Sequence, residues 1–232
     1  MKRILLKLSG EALAGDKHFG FDESVCLDVA RQVKEVKDKT NLQIAIVIGG
    51  GNFWRGRSSE NIDRVKADQI GMLATVMNAV YVSEIFRSVG METKVFTPFE
   101  CGNVSNYYSK DEAMEALDLG KVVFFAGGTG HPYFSTDTGA SLFAVQIEAD
   151  AIMMAKAVDG IYDSDPNKNK DAKKYDEISI SEVIDKRLQA TDLASSIMCL
   201  ENKMPIWVFG LNEKDSIINS LTGNFNGTKI TV

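Results

Sequence analysis

Short apolar runs set the limits on how this chain can fold. They occupy residues 4–8 (ILLKL), 44–48 (IAIVI), 122–126 (VVFFA), 151–155 (AIMMA) and 206–209 (IWVF). None alternates strictly between apolar and polar residues, which is the pattern of a strand covered on both faces. Residues 93–96 form a weaker strand candidate, and 229–232 could add an edge strand. Helical periodicity fills the gaps. Val25, Val29, Val33 and Val36 share one face of a helix starting near Asp22. Residues 65–86, rich in Met, Ala and Val, are the longest helical stretch. Ser109 with Glu112 forms a capping box, and Gly120 closes that helix. Asp192 opens another helix, which Pro205 must end. Strands alternating with helices predict an α/β fold, a three-layer α/β/α sandwich with a mostly parallel central sheet. At 232 residues the chain is read as one domain spanning 1–232, large enough for a full core, with no internal repeat.

Several of these strands run straight into glycine turns. Leu8 leads to Ser9-Gly10, Ile48 to Gly49-Gly50-Gly51-Asn52, Ala126 to Gly127-Gly128-Thr129-Gly130, and Phe209 to Gly210. In a parallel sheet such turns gather at the carboxyl edge, where open α/β folds bind ligands. Glycine there lets backbone N–H groups approach phosphate oxygens beside a helix N-terminus. It also serves tight βα turns that bind nothing, so one such turn would say little. Several on one edge point to a ligand with several phosphates. Two familiar motifs nearly match. Residues 51–58 fit GxxxxG-Arg-Ser, but arginine is a poor stand-in for the compact ammonium of a P-loop lysine, and Phe53-Trp54 is bulky for a phosphate cradle. The dinucleotide fingerprint fails because Trp54 and Tyr133 stand where its third glycine belongs.

Bulk properties exclude other classes. The formal net charge of −6 and pI near 5.1 argue against a nucleic-acid or membrane-surface binder. Cys26, Cys101 and Cys199 are odd in number, widely spaced and without a CxxC, which disfavours disulfides and structural zinc and favours a reducing compartment. The apolar start is too short for a signal region, and no apolar run of membrane-spanning length is read, so a soluble, cytoplasmic chain is expected. The run NKNKDAKK at 167–174 reads as a solvated loop, with a phosphate clamp as the alternative.

Three charged residues stand out. Lys7 ends the first strand just before a glycine turn. It either reaches solvent or contacts phosphate, since an inward lysine needs a partner. Asp137 and Asp192 each begin a helix, where an aspartate is common as a cap. Together the three would hold a lysine between two carboxylates, charged and oriented.

At this point a resemblance emerges. Lys7-Leu8-Ser9-Gly10-Glu11, Gly49-Gly50-Gly51-Asn52 with Arg55-Gly56, and Asp68 followed by Gly71-Met72-Leu73-Ala74-Thr75 resemble the bacterial-type UMP kinases of the amino acid kinase family. So do Gly128-Thr129-Gly130 with Pro132 and Thr136-Asp137, Val158-Asp159-Gly160-Ile161-Tyr162 with Asp165-Pro166, and Asp192-Leu193-Ala194. The resemblance covers essentially the whole chain. It implies transfer of the γ-phosphoryl group of Mg·ATP to UMP, in a homohexamer, with GTP as activator and UTP as inhibitor. The N-terminal part would bind UMP and the part from about residue 150 would bind ATP. By matching motif, Lys7, Leu8, Ser9, Gly10, Gly51, Arg55, Lys156, Tyr162 and Asp165 would contact ATP. Gly50, Asp68, Thr129, Gly130, His131, Pro132, Tyr133, Phe134, Ser135 and Thr136 would hold UMP. Lys7, Arg55, Asp137 and Asp192 would carry catalysis. Mg2+ would ride on ATP phosphates without a dedicated protein cage.

The sequence departs from the family pattern in places. His131 stands where asparagine is more common, and a histidine's hydrogen bond would vary with pH. Lys156-Ala157 replaces the usual Thr-Lys, which moves that cation one residue earlier. Another amino acid kinase, acting on carbamate, aspartate or acetylglutamate, would keep the first lysine and the glycines, but Asp68 and segment 129–136 argue against it. A non-catalytic nucleotide-binding module is disfavoured by Lys7, Arg55, Asp137 and Asp192 together.

Overall fold

The computed structural model describes the whole chain apart from residues 55–60, 167 and 189. At its centre β1 (Arg3–Leu8) pairs on one side with β2 (Gln43–Ile48) and on the other with β6 (Ala151–Lys156), both parallel. Beyond β2 lie β5 (Val122–Phe125), β3 (Thr93–Thr97) and β4 (Asn106–Tyr107). Beyond β6 lie β10 (Ile206–Gly210), β11 (Gly227–Thr231) and β9 (Glu177–Ser179). Only β10 and β11 pair antiparallel within this nine-stranded sheet, so the expectation of a mostly parallel sheet holds. A separate two-stranded sheet joins β7 (Ile161–Tyr162) to β8 (Lys174–Tyr175).

Alternation along β1 assigns its side chains to two cores. Ile4, Leu6 and Leu8 fall in the cluster that contains Val29 and Val33 of α2 (Glu23–Lys39) and Val82 and Phe86 of α3 (Arg64–Ser88). Leu5 falls in the cluster of α5 (Thr136–Gln146) and α4 (Lys110–Asp118). The sheet therefore has helices on both faces, and Lys7 shares the α5 side with Leu5. The second layer also holds α6 (Ile180–Asp185) and α7 (Leu193–Glu201), while α8 (Ser216–Thr222) joins the first. A short α1 (Gly10–Leu13) follows β1. Since β2 and β6 flank β1, the winding direction reverses there, and the loops after β1, β2 and β6 open onto one crevice.

Several local expectations need adjusting. Ser109 accepts from Glu112 N at 3.4 Å, but the Glu112 carboxylate binds Lys94 Nζ at 2.8 Å, so the box is half formed. The last strand sits at Gly227–Thr231, starting two residues and ending one residue earlier than read. Among the described residues one helix, α3, is long and apolar enough to cross a membrane by length and composition, though Gln69, Asn78, Ser83 and Glu84 interrupt its apolar sequence. Here it packs against the sheet, with Asn78 fully buried.

Candidate active site

Lys7 cannot bury its ammonium without a partner. The period of β1 turns it toward the N-terminus of α5, where Nζ lies 2.8 Å from Asp137 Oδ1. Both side chains are mostly shielded, at 13 % and 18 % exposure, so their attraction is weakly screened. Burial alone would push the Asp137 carboxyl up. The charges of Lys7 and Lys156 and the hydrogen bond from Lys7 outweigh it and hold the carboxyl below its ordinary value of 3.8. Lys156, at the end of β6, donates to the carbonyl of Ala190. Burial and the neighbouring Lys7 lower its pKa, while Asp137 and Asp192 oppose that shift.

The folded-state pKa of Asp137 lies below its unfolded value. Its ionised form therefore stabilises the fold above that unfolded value, and the contribution is lost as pH falls through the lowered folded value. Asp137→Asn should flatten the acid limb of stability below the ordinary carboxylate value, read as urea midpoints against pH. An acid limb identical to that of the unsubstituted chain would mean the pair is not formed in solution.

Asp192 does not partner Lys7, as a lysine between two carboxylates would require. It is the N-cap of α7 and accepts from Ser195 N at 3.0 Å. It also accepts from the hydroxyl of Ser135, the N-cap of α5, and from Thr138 Oγ1 at 2.9 and 3.0 Å. One carboxylate thus locks two helix starts together. Farther along, Ser141 and Ser195 hydroxyls meet at 2.6 Å, small residues that let α5 and α7 pack closely. Ser135 Oγ accepts from Asp137 N and Thr138 N, and Asp192 from Ser195 N, so the capped starts of α5 and α7, with their positive dipole ends, are held beside one another.

Two cavities meet there. The larger, about 990 Å³, is lined by Gly50, Gly51, Asp68, Gly128, residues 134–137 and Asp192, among others. The smaller, about 630 Å³, is lined by Lys7, Ser9, residues 160–166 and others. Lys156, Arg187 and Leu188 line both. Lys7 belongs to the smaller and Asp137 to the larger, so their ion pair spans the junction.

The remaining expected site residues divide. Tyr162 and Asp165 line the smaller cavity with Lys7, Ser9 and Lys156. Gly51, which the resemblance assigns to ATP phosphates, lines the larger cavity. Leu8 is buried in the opposite core, so its side chain reaches neither cavity. Gly10 is buried as well. A Cβ there would lie 2.1 Å from Gly49 O, so its glycine is required by close packing of two turns. Phe134, Ser135 and Thr136 line the larger cavity, whereas Thr129, Gly130, His131, Pro132 and Tyr133 form the turn beside it. Within that turn Thr129 Oγ1 accepts from His131 N, and Tyr133 N donates to Asp68 Oδ2 at 2.8 Å. Arg55 lies outside the described residues.

Some residues escaped the sequence reading. Arg64 Nε lies 2.8 Å from Asp68 Oδ2, and its guanidinium sits 5.2 Å from the Tyr133 ring centroid; the i,i+4 spacing was the available signal. Asn52 and Asn78 exchange amide hydrogen bonds at 3.0 and 2.8 Å, and Asn78 Nδ2 also donates to Gly49 O at 2.7 Å. This buried pair fixes the glycine turn after β2 to α3. A lone asparagine inside an apolar helix pattern was its trace.

Comparison with known proteins agrees with this architecture. Residues 2–210 match the model of the amino acid kinase family. A curated relative named uridylate kinase, from Limosilactobacillus reuteri (strain DSM 20016), is 48 % identical over 232 residues, 99 % of this chain and 96 % of the relative. The chain therefore belongs to the amino acid kinase family, a family of phosphotransferases. Among solved structures it is similar to a UMP kinase from Bacillus anthracis, with a TM-score of 0.94, 35 % identity and coverage of 99 % and 96 % of the two chains. It is also similar to a UMP kinase from Ureaplasma parvum, with a TM-score of 0.93, 31 % identity and coverage of 100 % and 99 %.

Proposed function

We propose that this chain is a UMP kinase that transfers the γ-phosphoryl group of ATP to UMP, giving UDP and ADP. The observation that carries this reading is the junction of two cavities at the Lys7–Asp137 pair, with Lys156 shared between them. Phosphoryl transfer needs two phosphates held in line and cations where charge spreads over the transferring oxygens. In this reading the smaller cavity takes ATP through Lys7, Ser9, Lys156, Tyr162 and Asp165. The larger takes UMP through Gly50, Asp68 and the segment from Thr129 to Thr136, with Gly51 also on its wall.

Lys7 places its charge at the junction and Asp137 fixes its direction. The N-termini of α5 and α7 add positive dipole ends. UMP brings an anionic phosphate as nucleophile, so no protein base is required. Among the described residues there is no cluster of three or more His, Cys, Asp or Glu able to hold a metal. Asp137 and Asp192 nevertheless offer hard oxygen donors suited to magnesium that keeps phosphates and water as its main ligands. Magnesium bound to ATP would neutralise phosphate charge. Transfer of label from γ-labelled ATP to UDP tests the reaction, and labelled inorganic phosphate without labelled UDP would overturn it.

Asp68→Asn should raise the KM for UMP about tenfold and leave that for ATP nearly unchanged, because Asp68 lines only the larger cavity and anchors Tyr133. An equal rise in both constants would count against this placement. A cytoplasmic location and a single domain, expected from the sequence, belong to the same proposal, as do the division of that domain, homohexamer assembly, activation by GTP and inhibition by UTP, which rest on the resemblance. Assembly has added support in an exposed stripe on α3, Ile70, Leu73, Met77 and Val80. Light scattering, with and without GTP or UTP, and assays under each nucleotide test assembly and response.

A further inference from the structure

One wall of the smaller cavity is formed by residues 160–166. Its strand β7 pairs only with β8, in a two-stranded sheet apart from the main one. Such a pair is marginal by itself, so its position must be fixed by other contacts. Lys174 supplies them. The sequence reading placed Lys174 in a solvated loop, yet its side chain is only 21 % exposed. Its Nζ lies 2.8 Å from Asp159 Oδ2 and 2.9 Å from Asn226 Oδ1. The other Asp159 oxygen accepts from the Tyr162 hydroxyl at 2.7 Å. Tyr162 and Lys174 are direct cross-strand partners, so one carboxylate grips both strands of the hairpin.

The grip extends to the main sheet. The Lys174 stem lies over Gly160, where a Cβ would come within 2.8 Å of Lys174 Cδ and 2.7 Å of Thr228 Oγ1. Asp159 packs against Gly210 at the end of β10, where an added Cβ would stand 3.2 Å from its own. Asn226 directly precedes β11, and Thr228 within β11 accepts from Ile161 N at 2.8 Å. The lysine therefore ties the cavity wall to β10 and β11 through its charge and its stem together.

We propose that Lys174 is a positioning residue that holds Tyr162 and the 160–166 wall in place and thereby sets the affinity for the phosphoryl donor without touching it. This rests on the reading that the smaller cavity takes ATP. Burial pushes the Asp159 carboxyl up, but its hydrogen bonds from Lys174 and Tyr162 outweigh that and lower its pKa, which keeps the carboxylate ionised for this role.

Lys174→Met keeps most of the stem and removes the charged donor, whereas Lys174→Arg keeps a charge. Calorimetric titration of Mg·ATP and of UMP separately, beside steady-state kinetics, tests the role. Lys174→Met should weaken ATP binding and raise its KM by about tenfold while UMP stays within about twofold. Lys174→Arg should recover to within about threefold of the unsubstituted chain. A milder variant, Asn226→Ala, should weaken ATP by about threefold and serves if Lys174→Met does not fold. Unchanged ATP affinity in these variants would overturn the proposal, as would equal weakening of ATP and UMP, the mark of general loosening. An unsubstituted chain that binds ATP but leaves UMP unphosphorylated would overturn the proposed function, and the ATP affinities would still decide the role of Lys174.

Discussion

Lys7→Ala is expected to lower turnover about a hundredfold or more, as removal of a preorganised charge from a developing transition state does elsewhere. The expectation follows from position. Lys7 lines the smaller cavity, and its ion pair with Asp137 crosses to the larger one. The substitution also leaves Asp137 buried without its direct partner, and breaking such a pair costs about 3 kcal/mol. Lys7→Arg separates the two effects. It keeps a charge beside Asp137 and should restore stability more than turnover, since a planar guanidinium does not reproduce a compact ammonium. Steady-state kinetics beside thermal melts checks both. Near-normal turnover in folded Lys7→Ala would remove Lys7 from the mechanism.

Asp192→Ala should cost stability and rate together. The carboxylate caps α7 and accepts from Ser135 and Thr138 at the start of α5. Losing an N-cap costs about 1 kcal/mol, and hydroxyls left buried without acceptors add about 1–3 kcal/mol. For a chain of this length that corresponds to a fall in Tm of roughly 10 °C. The first turn of α5 carries Asp137, so its displacement misdirects Lys7 and should lower kcat by about tenfold. Asp192→Asn keeps a capping oxygen and should retain most of the stability. A Tm for Asp192→Ala within about a degree of the unsubstituted chain would show that the inter-helix lock contributes little.

The central strands were legible because strands buried on both faces must be apolar throughout, as in VVFFA and AIMMA. The strands β4, β7, β8 and β9 were not legible. They are two or three residues long, and their pairing is set by neighbours in the sheet, not by their own composition. The glycine turns marked the carboxyl edge correctly, but their reasons differ. Gly10 is required by its contact with Gly49, which sequence cannot tell from phosphate binding.

The charge of Lys7 in an apolar strand was legible, but its direction stayed open between solvent and phosphate until the structure brought it to Asp137. The partners of Asp192 were not legible either, because they depend on α5 and α7 lying side by side, a contact between segments more than fifty residues apart. Lys174 shows the opposite failure. A lysine in NKNKDAKK looks solvated by composition, and only the hairpin register brings it to Asp159.

The most direct measurement is ADP release from Mg·ATP with UMP, CMP, dUMP, AMP, carbamate and aspartate offered in parallel. The arrangement at Lys7, Asp137 and Asp68 predicts strong release with UMP and little with the others. Release with carbamate or aspartate but not UMP, or ATP binding without release on any acceptor, would contradict it.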